Sequence, residues 1–235
     1  MRSFRPFTAL LALLLTAGSA GSAAADVRAG EWVSYRDAYR SMVMFEKYGG
    51  PKNLLQNQLE VQPREHGVSL DGVQLVLAGK ANQLNLPLDP LGRAVFPLQK
   101  AAYDENAALL LNHKGLTFSL RPQVTIAPRA DGVYDSAELR AACAQALGYA
   151  RYVDASQRGR QCVGVRFVFP KKSDVGARVR RGDGREHPLA VASGPAFAGD
   201  ADDGFQVVNY RFGPDGERAQ VTAYDAPLAI VPVFE

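Results

Sequence analysis

The clearest pattern of hydrophobic positions lies near the middle of the chain. From Ser136 onwards apolar residues recur every three or four positions, which is the spacing of one buried helix face. Ser136 suits an N-cap and Glu138 suits the positive first turn. The pattern therefore predicts a helix over 136–154. Its buried face would consist of Leu139, Ala142, Cys143, Ala146, Leu147, Ala150 and Val153.

A second helical pattern lies nearer the N-terminus, in SYRDAYRSMVMFEKYGGP. Ser34 can cap this helix, and the Gly-Gly-Pro sequence at its end is a stop signal. We predict a helix over 35–48 and interpret its apolar stripe as core packing rather than a binding surface. The stripe comprises Tyr35, Ala38, Met42 and Phe45.

The rest of the chain alternates apolar and polar residues in short runs. CVGVRFVFP, which begins at Cys162, places every second residue on one apolar face and predicts a strand. Similar runs, separated by Asp-Gly and Pro-containing turns, lie on both sides of the central helix. The predicted fold class is α+β and mostly antiparallel β, with sandwich-like β regions, an N-terminal helix and one central helix.

The order of these elements predicts the domain organisation. Residues 26–134 would form the N-terminal helix and a β region, 135–161 a connecting helix and loop, and 162–235 a C-terminal β region. GVQLVL at Gly72 resembles GVRFVF at Gly164. A duplicated β unit would explain this likeness, and so would the frequency of Asp-Gly turns between strands.

The first 25 residues have the features of a secretory signal peptide. A basic start precedes an apolar run over 7–17, and small residues lead to a cleavage site after Ala25. A membrane anchor is the alternative, but the apolar run is shorter than the roughly 20 residues of a spanning helix. Removing Arg2 and Arg5 from 27 basic and 24 acidic residues leaves a nearly neutral chain. We expect a periplasmic or secreted protein without affinity for nucleic acid.

The export signal changes the interpretation of the only two cysteines, Cys143 and Cys162. In an oxidising compartment two cysteines usually pair, and the predicted helix, loop and strand can bring these two together. A redox motif favours closer spacing, and a zinc site needs more ligands. A disulfide is the prediction, with free thiols and a metal or redox site as alternatives.

Three segments together resemble a known group of sequences. YRDAYRSM, GVRFVF and YDAPLAIVPV are similar to segments of an uncharacterised family of exported proteobacterial proteins, which is known only as a domain of unknown function. The resemblance implies a periplasmic location. It supplies no catalytic residue to carry over.

No motif in the sequence indicates a reaction. The chain lacks a Gly-x-Ser-x-Gly elbow, a His-Glu-x-x-His helix and a phosphate-binding loop, and its three histidines are not at metal-ligand spacing. We therefore predict no catalytic residue, metal or cofactor, and favour a non-enzymatic binding or envelope-associated module. The alternative is a hydrolase of envelope glycans with scattered carboxylates. The candidates are Asp104, Glu105 and Asp203.

One segment, 170–185, is rich in cations and is the candidate binding surface. Because the mature chain is nearly neutral, the favoured interpretation is a solvated hairpin whose charges protect an edge strand. The alternative hypothesis is that its six basic residues form an anion-binding patch for an envelope partner or an anionic polymer. The patch comprises Lys171, Lys172, Arg178, Arg180, Arg181 and Arg185.

Overall fold

A computed structural model describes residues 27–65, 67–80, 83–171, 174–214 and 217–235. The predicted signal peptide, His66 and Lys172 lie outside these ranges. Within them, no helix is long and apolar enough to cross a membrane.

The two predicted helices are confirmed to within one residue at their C-terminal ends. Ser34 caps the first, since its Oγ accepts a hydrogen bond from the Asp37 amide at 3.3 Å. The predicted cap of the central helix is wrong, because Asp135 holds the N-cap position. The Ser136 hydroxyl instead donates to the Glu217 carbonyl oxygen at 3.1 Å. The helices are α1 (Tyr35–Lys47), α2 (Lys100–Asp104) and α3 (Ser136–Val153), and a 3-10 turn spans Ala155–Gly159.

The strands of the described chain are short, and all their pairings are antiparallel. In the N-terminal half they are β1 (Val27–Gly30), β2 (Trp32–Ser34), β3 (Leu55–Pro63), β4 (Gln74–Ala78), β5 (Gln83–Pro87), β6 (Arg93–Ala94), β7 (Ala108–Leu111) and β8 (Phe118–Ile126). In the C-terminal half they are β9 (Val133–Asp135), β10 (Cys162–Phe169), β11 (Ala177–Arg181), β12 (Glu186–Pro188), β13 (Val191–Gly194), β14 (Phe205–Arg211), β15 (Ala219–Ala223) and β16 (Ala229–Phe234).

These strands form three sheets, which confirms the predicted α+β, mostly antiparallel class. A large sheet of eight strands has the order β13-β14-β10-β16-β8-β3-β6, and β1 pairs with β8. Two four-stranded sheets have the orders β2-β7-β4-β5 and β12-β11-β15-β9. The large sheet contains strands from both predicted β regions; the domain boundaries themselves stay a prediction.

Each small sheet packs on one half of the large sheet and shares a core with one helix. Buried residues of α1 meet β3, β8 and the N-terminal small sheet in one cluster. Those of α3 meet β10, β14 and the C-terminal small sheet in another. A smaller apolar cluster, which includes Val168 and Phe197, lies apart from these two. The two halves therefore have similar layers of helix and sheet.

The connections also repeat between the halves. The two small sheets have equivalent strand orders. One sheet has the order β5-β4-β7-β2, and the other has the matching order β12-β11-β15-β9. In the large sheet, β3-β8 and β16-β10 mirror each other about the β8–β16 pairing. GVQLVL and GVRFVF are nevertheless not equivalent, because the first contains β4 of a small sheet and the second lies in β10 of the large sheet. The topology supports a duplicated unit, but not through the motif that suggested it.

Contacts between the two halves join residues that are 104 positions apart in the sequence. Such contacts between equivalent residues are expected where two units are related by a pseudo-two-fold axis. Two of these contacts are aromatic pairs, whose ring centroids lie 5.2 and 5.3 Å apart. The third joins two isoleucines that are directly opposed in the β8–β16 pairing. The pairs are Phe45 with Tyr149, Tyr48 with Tyr152, and Ile126 with Ile230.

The predicted disulfide between Cys143 and Cys162 is confirmed. Cys143 lies on the buried face of α3, and Cys162 is the first residue of β10. Their Cα atoms are 6.0 Å apart and the bond closes a sequence separation of 19 residues. The disulfide therefore ties the central helix to the large sheet.

Candidate functional site

The predicted cationic patch is distributed over a strand, a turn and a loop instead of forming one free surface. Each of its members in the described chain has a polar acceptor within reach. The contacts are Arg178 to Glu186 at 3.2 Å, Arg180 to Gln220 at 2.6 Å, Arg181 to Glu217 at 2.7 Å, Arg185 to Asp183 at 3.8 Å and Lys171 to Asp202 at 2.5 Å. Anion binding by the patch stays a prediction.

One concave feature of the described chain is an open cleft of about 1060 Å³. The end of β3 and the loops 67–72, 88–92 and 199–203 line it. Loops held by a rigid sheet are common positions for binding residues. Of the carboxylates proposed for a hydrolase, Asp203 lines this cleft, whereas Asp104 and Glu105 do not.

A partly buried ion cluster supports one wall of the cleft. Arg121 donates from Nε to Glu60 Oε2 at 2.8 Å and from Nη2 to Asp200 Oδ1 at 2.5 Å. A second bond from Nη2 reaches Glu60 Oε1 at 3.1 Å. The Gln62 amide, oriented with its oxygen toward Arg121, accepts from Nη1 at 3.2 Å. One guanidinium therefore donates hydrogen bonds to two carboxylates.

The sheet register explains how two of these groups meet. Glu60 and Arg121 are direct partners in the β3–β8 ladder. Leu59 and Val61 are part of the N-terminal core cluster. Because side chains alternate along a strand, Glu60 points to the opposite face of the sheet. Cross-strand partners of opposite charge stabilise a sheet. Asp200, by contrast, comes from the loop between β13 and β14 and reaches Arg121 only in the folded protein.

A second arginine, Arg93, fixes another loop of the cleft. Its side chain is almost fully buried and donates from Nε to Asp89 Oδ2 at 2.8 Å and from Nη2 to the Leu228 carbonyl oxygen at 2.6 Å. The guanidinium groups of Arg93 and Arg121 lie 5.8 and 6.0 Å from the ring centroid of Phe197. These contacts hold the loops 88–92 and 195–204 against the sheet.

The electrostatics of the cluster are dominated by Glu60. This residue is only 4% exposed, and burial raises the pKa of its carboxyl from 4.5 to about 7, against the lowering effect of Arg121. Asp200 raises this pKa and Arg93 lowers it through their charges. Because both Glu60 oxygens accept hydrogen bonds from Arg121, the carboxylate has a structural partner rather than an open reacting face.

We expect Glu60→Gln to remove part of the pH dependence of stability. With its pKa raised from 4.5 to about 7 on folding, Glu60 stabilises the fold below the unfolded pKa, and this contribution is lost as pH rises through 7. The unfolding free energy of the native protein should therefore fall relative to that of the variant between about pH 5 and about pH 8. Urea unfolding at both pH values measures the difference, and parallel pH dependence would contradict the raised pKa.

The described residues contain no group of three or more His, Cys, Asp or Glu side chains that could hold a metal. His113 and His187 are both exposed. The sequence interpretation missed Glu60, Arg93, Arg121 and Asp200. A charged residue between Leu59 and Val61 was a local signal for Glu60, but nothing local indicated that Asp200 would join it.

No family model matches this sequence, and no curated protein or solved structure shows significant similarity to it.

Proposed function

We propose that this protein is an exported, periplasmic, non-enzymatic binding module for an anionic component of the cell envelope. The observation that carries the binding proposal is the state of the carboxylates beside the cleft. Among the carboxylates that line the cleft, Glu60 and Asp200 both pair with Arg121, and Asp89 pairs with Arg93. Such pairs hold loops in place for binding, whereas acid–base catalysis needs a group free to exchange a proton with substrate.

The anionic ligand follows from the exposed cations. The ion pairs of Arg178, Arg181 and Arg185 all lie at the surface, with arginine side chains 44–78% exposed. Surface pairs contribute at most about 1 kcal/mol, so a ligand with several negative charges can compete with their carboxylates. A polyanion can therefore replace several of these carboxylates at once, whereas a single small anion can replace only one.

The periplasmic location is supported by the disulfide and by the signal-like N-terminus. Disulfide bonds persist in the periplasm and are rare in the bacterial cytosol. The signal peptide over 1–25 stays an expectation from the sequence.

A glycan hydrolase remains the second candidate because a carboxyl with a pKa of about 7 resembles a general acid. Glycosidases, however, place two carboxyls about 5–9 Å apart on either side of the scissile bond. Glu60 and Asp200 instead share one guanidinium, and Glu60 is buried. Release of reducing sugar from envelope glycans by the native protein, and its loss in Glu60→Gln, would support the hydrolase.

The binding proposal predicts retention on an anionic matrix at low salt. The native protein should bind heparin resin and elute as salt rises, because exposed charges are screened over about 8 Å at physiological ionic strength. Changing Arg178, Arg180 and Arg181 to Ser should weaken binding by about tenfold, given up to about 1 kcal/mol for each exposed contact. Elution of both proteins at one salt concentration would refute the role of these arginines.

A further inference from the structure

A groove of about 1000 Å³ separates the first turns of α3 from strands β11 and β15. Three alanines on the exposed face of α3, Ala137, Ala141 and Ala144, contribute to its lining. Small side chains at this spacing leave an uncharged surface that a ligand can approach closely. The groove is separate from the cleft beside Glu60, since the two have no lining residue in common.

Four arginines from three parts of the fold line this groove. Arg140 comes from α3, Arg180 and Arg181 from β11, and Arg218 directly precedes β15. Only two of these belong to the predicted patch, and Arg178 and Arg185 of that patch lie outside the groove. The tertiary structure therefore assembles a cationic site from distant parts of the sequence.

The orientation of Arg140 is fixed by the loop after β14. Its Nη2 donates to the Gly213 carbonyl oxygen at 2.8 Å, and its guanidinium lies 4.7 Å from the ring centroid of Phe212. A guanidinium held in this way loses little conformational freedom on contact with a ligand. Arg140 is thus a positioned charge at the groove.

The described lining of the groove has fewer carboxylates than arginines. Asp135 and Glu217 are the acidic residues of its described lining, against four arginines. Glu217 pairs with Arg181 at 2.7 Å, whereas Asp135 accepts a hydrogen bond from Gln220 at 3.3 Å. Even with Arg140 left out of the count, the described lining has three arginines against two carboxylates, which is an excess of positive charge.

We propose that this groove binds an acidic polymer chain through bidentate contacts between its arginines and the oxyanions of the polymer. The planar guanidinium fork matches carboxylate, sulfate and phosphate groups. Arginines of α3 and of the facing strands line one groove, which suits an extended chain lying in it better than a flat membrane surface. This inference rests on the proposed function and narrows its binding cations to the arginines of the groove, so that Arg178 and Arg185 of the predicted patch do not contact the polymer.

The test compares two double variants that lose the same charge. Arg180→Gln with Arg218→Gln removes cations of the groove, whereas Arg178→Gln with Arg185→Gln removes cations from outside it. All four side chains belong to exposed residues, so both variants should keep the native melting temperature. With heparin as the probe at low salt, the dissociation constant should rise about tenfold for the groove variant and at most about twofold for the control.

A measurement on the native protein checks the site independently. Bound heparin should protect Arg180 and Arg218 from an arginine-selective reagent such as phenylglyoxal and leave Arg178 and Arg185 reactive. Equal weakening of both double variants, or equal protection at all four positions, would overturn the groove and leave the proposed function standing.

Two further outcomes separate this inference from the proposed function. Binding to anionic phospholipid vesicles without binding to heparin would refute a polymer groove and favour a membrane surface as the partner. Failure of the native protein to bind heparin and vesicles alike would refute the anionic ligand altogether.

Discussion

Arg121→Met should destabilise the protein by about 3–5 kcal/mol, because removing one partner of a buried ion pair leaves an uncompensated charge. The Glu60 side chain is 5% exposed and that of Asp200 is 14% exposed, so water cannot fully replace the guanidinium for either carboxylate. Methionine keeps much of the arginine stem against the sheet, and the expected loss is therefore electrostatic.

Urea unfolding of four proteins can test this result. The set is the native protein, Arg121→Met, Glu60→Gln and the double variant. Because Glu60→Gln removes the more deeply buried carboxylate, the double variant should recover part of the loss, although Asp200 still lacks its guanidinium. The deficit of Arg121→Met should also shrink at low pH, where the carboxyl is protonated. A deficit below about 1 kcal/mol at pH 8 would mean that the cluster behaves like a surface pair.

Changing Cys143 and Cys162 together to Ser should destabilise the protein by about 3 kcal/mol, the value expected from the entropy of closing a loop of this length. The bond closes a separation of 19 residues and joins α3 to β10. For a chain of this size the expected fall in melting temperature is about 6–12 °C. Calorimetry with and without reductant measures it.

The redox state supplies the control for this prediction. Reductant should lower the melting temperature of the native protein towards that of the double variant and leave the variant unchanged. Alkylation of the denatured protein without reductant should label neither cysteine. Labelling of both would show free thiols and contradict the disulfide.

The helices and the disulfide could be predicted because their signals are local. Helical spacing of apolar residues identified α1 and α3, and the Ser34 cap fixed the start of α1. Placing Cys143 on a buried helix face and Cys162 on the next strand made their pairing geometrically possible. The start of α3 was predicted less well, because Ser136 has a tertiary partner in Glu217 that no local pattern shows.

The candidate sites were harder to predict because they join distant parts of the chain. Arg121 lies 61 positions from Glu60 and 79 from Asp200. Arg140 and Arg180 come from different elements and share a groove, while Arg178 and Arg185 lie outside it although they are close in sequence. Nearness in the sequence therefore indicated neither the cluster around Arg121 nor the set of arginines that line one groove.

The sequence by itself determined the fold class, the two main helices, the strand-rich character and the cysteine pairing, because each depends on local periodicity or on a loop that the chain can close. Only the tertiary structure decided the equivalence of the two halves, the burial of Glu60 beside Arg121, and the assembly of arginines along α3. These features depend on strand order and register, which are set by long-range packing of whole faces, and no short segment of the chain encodes them.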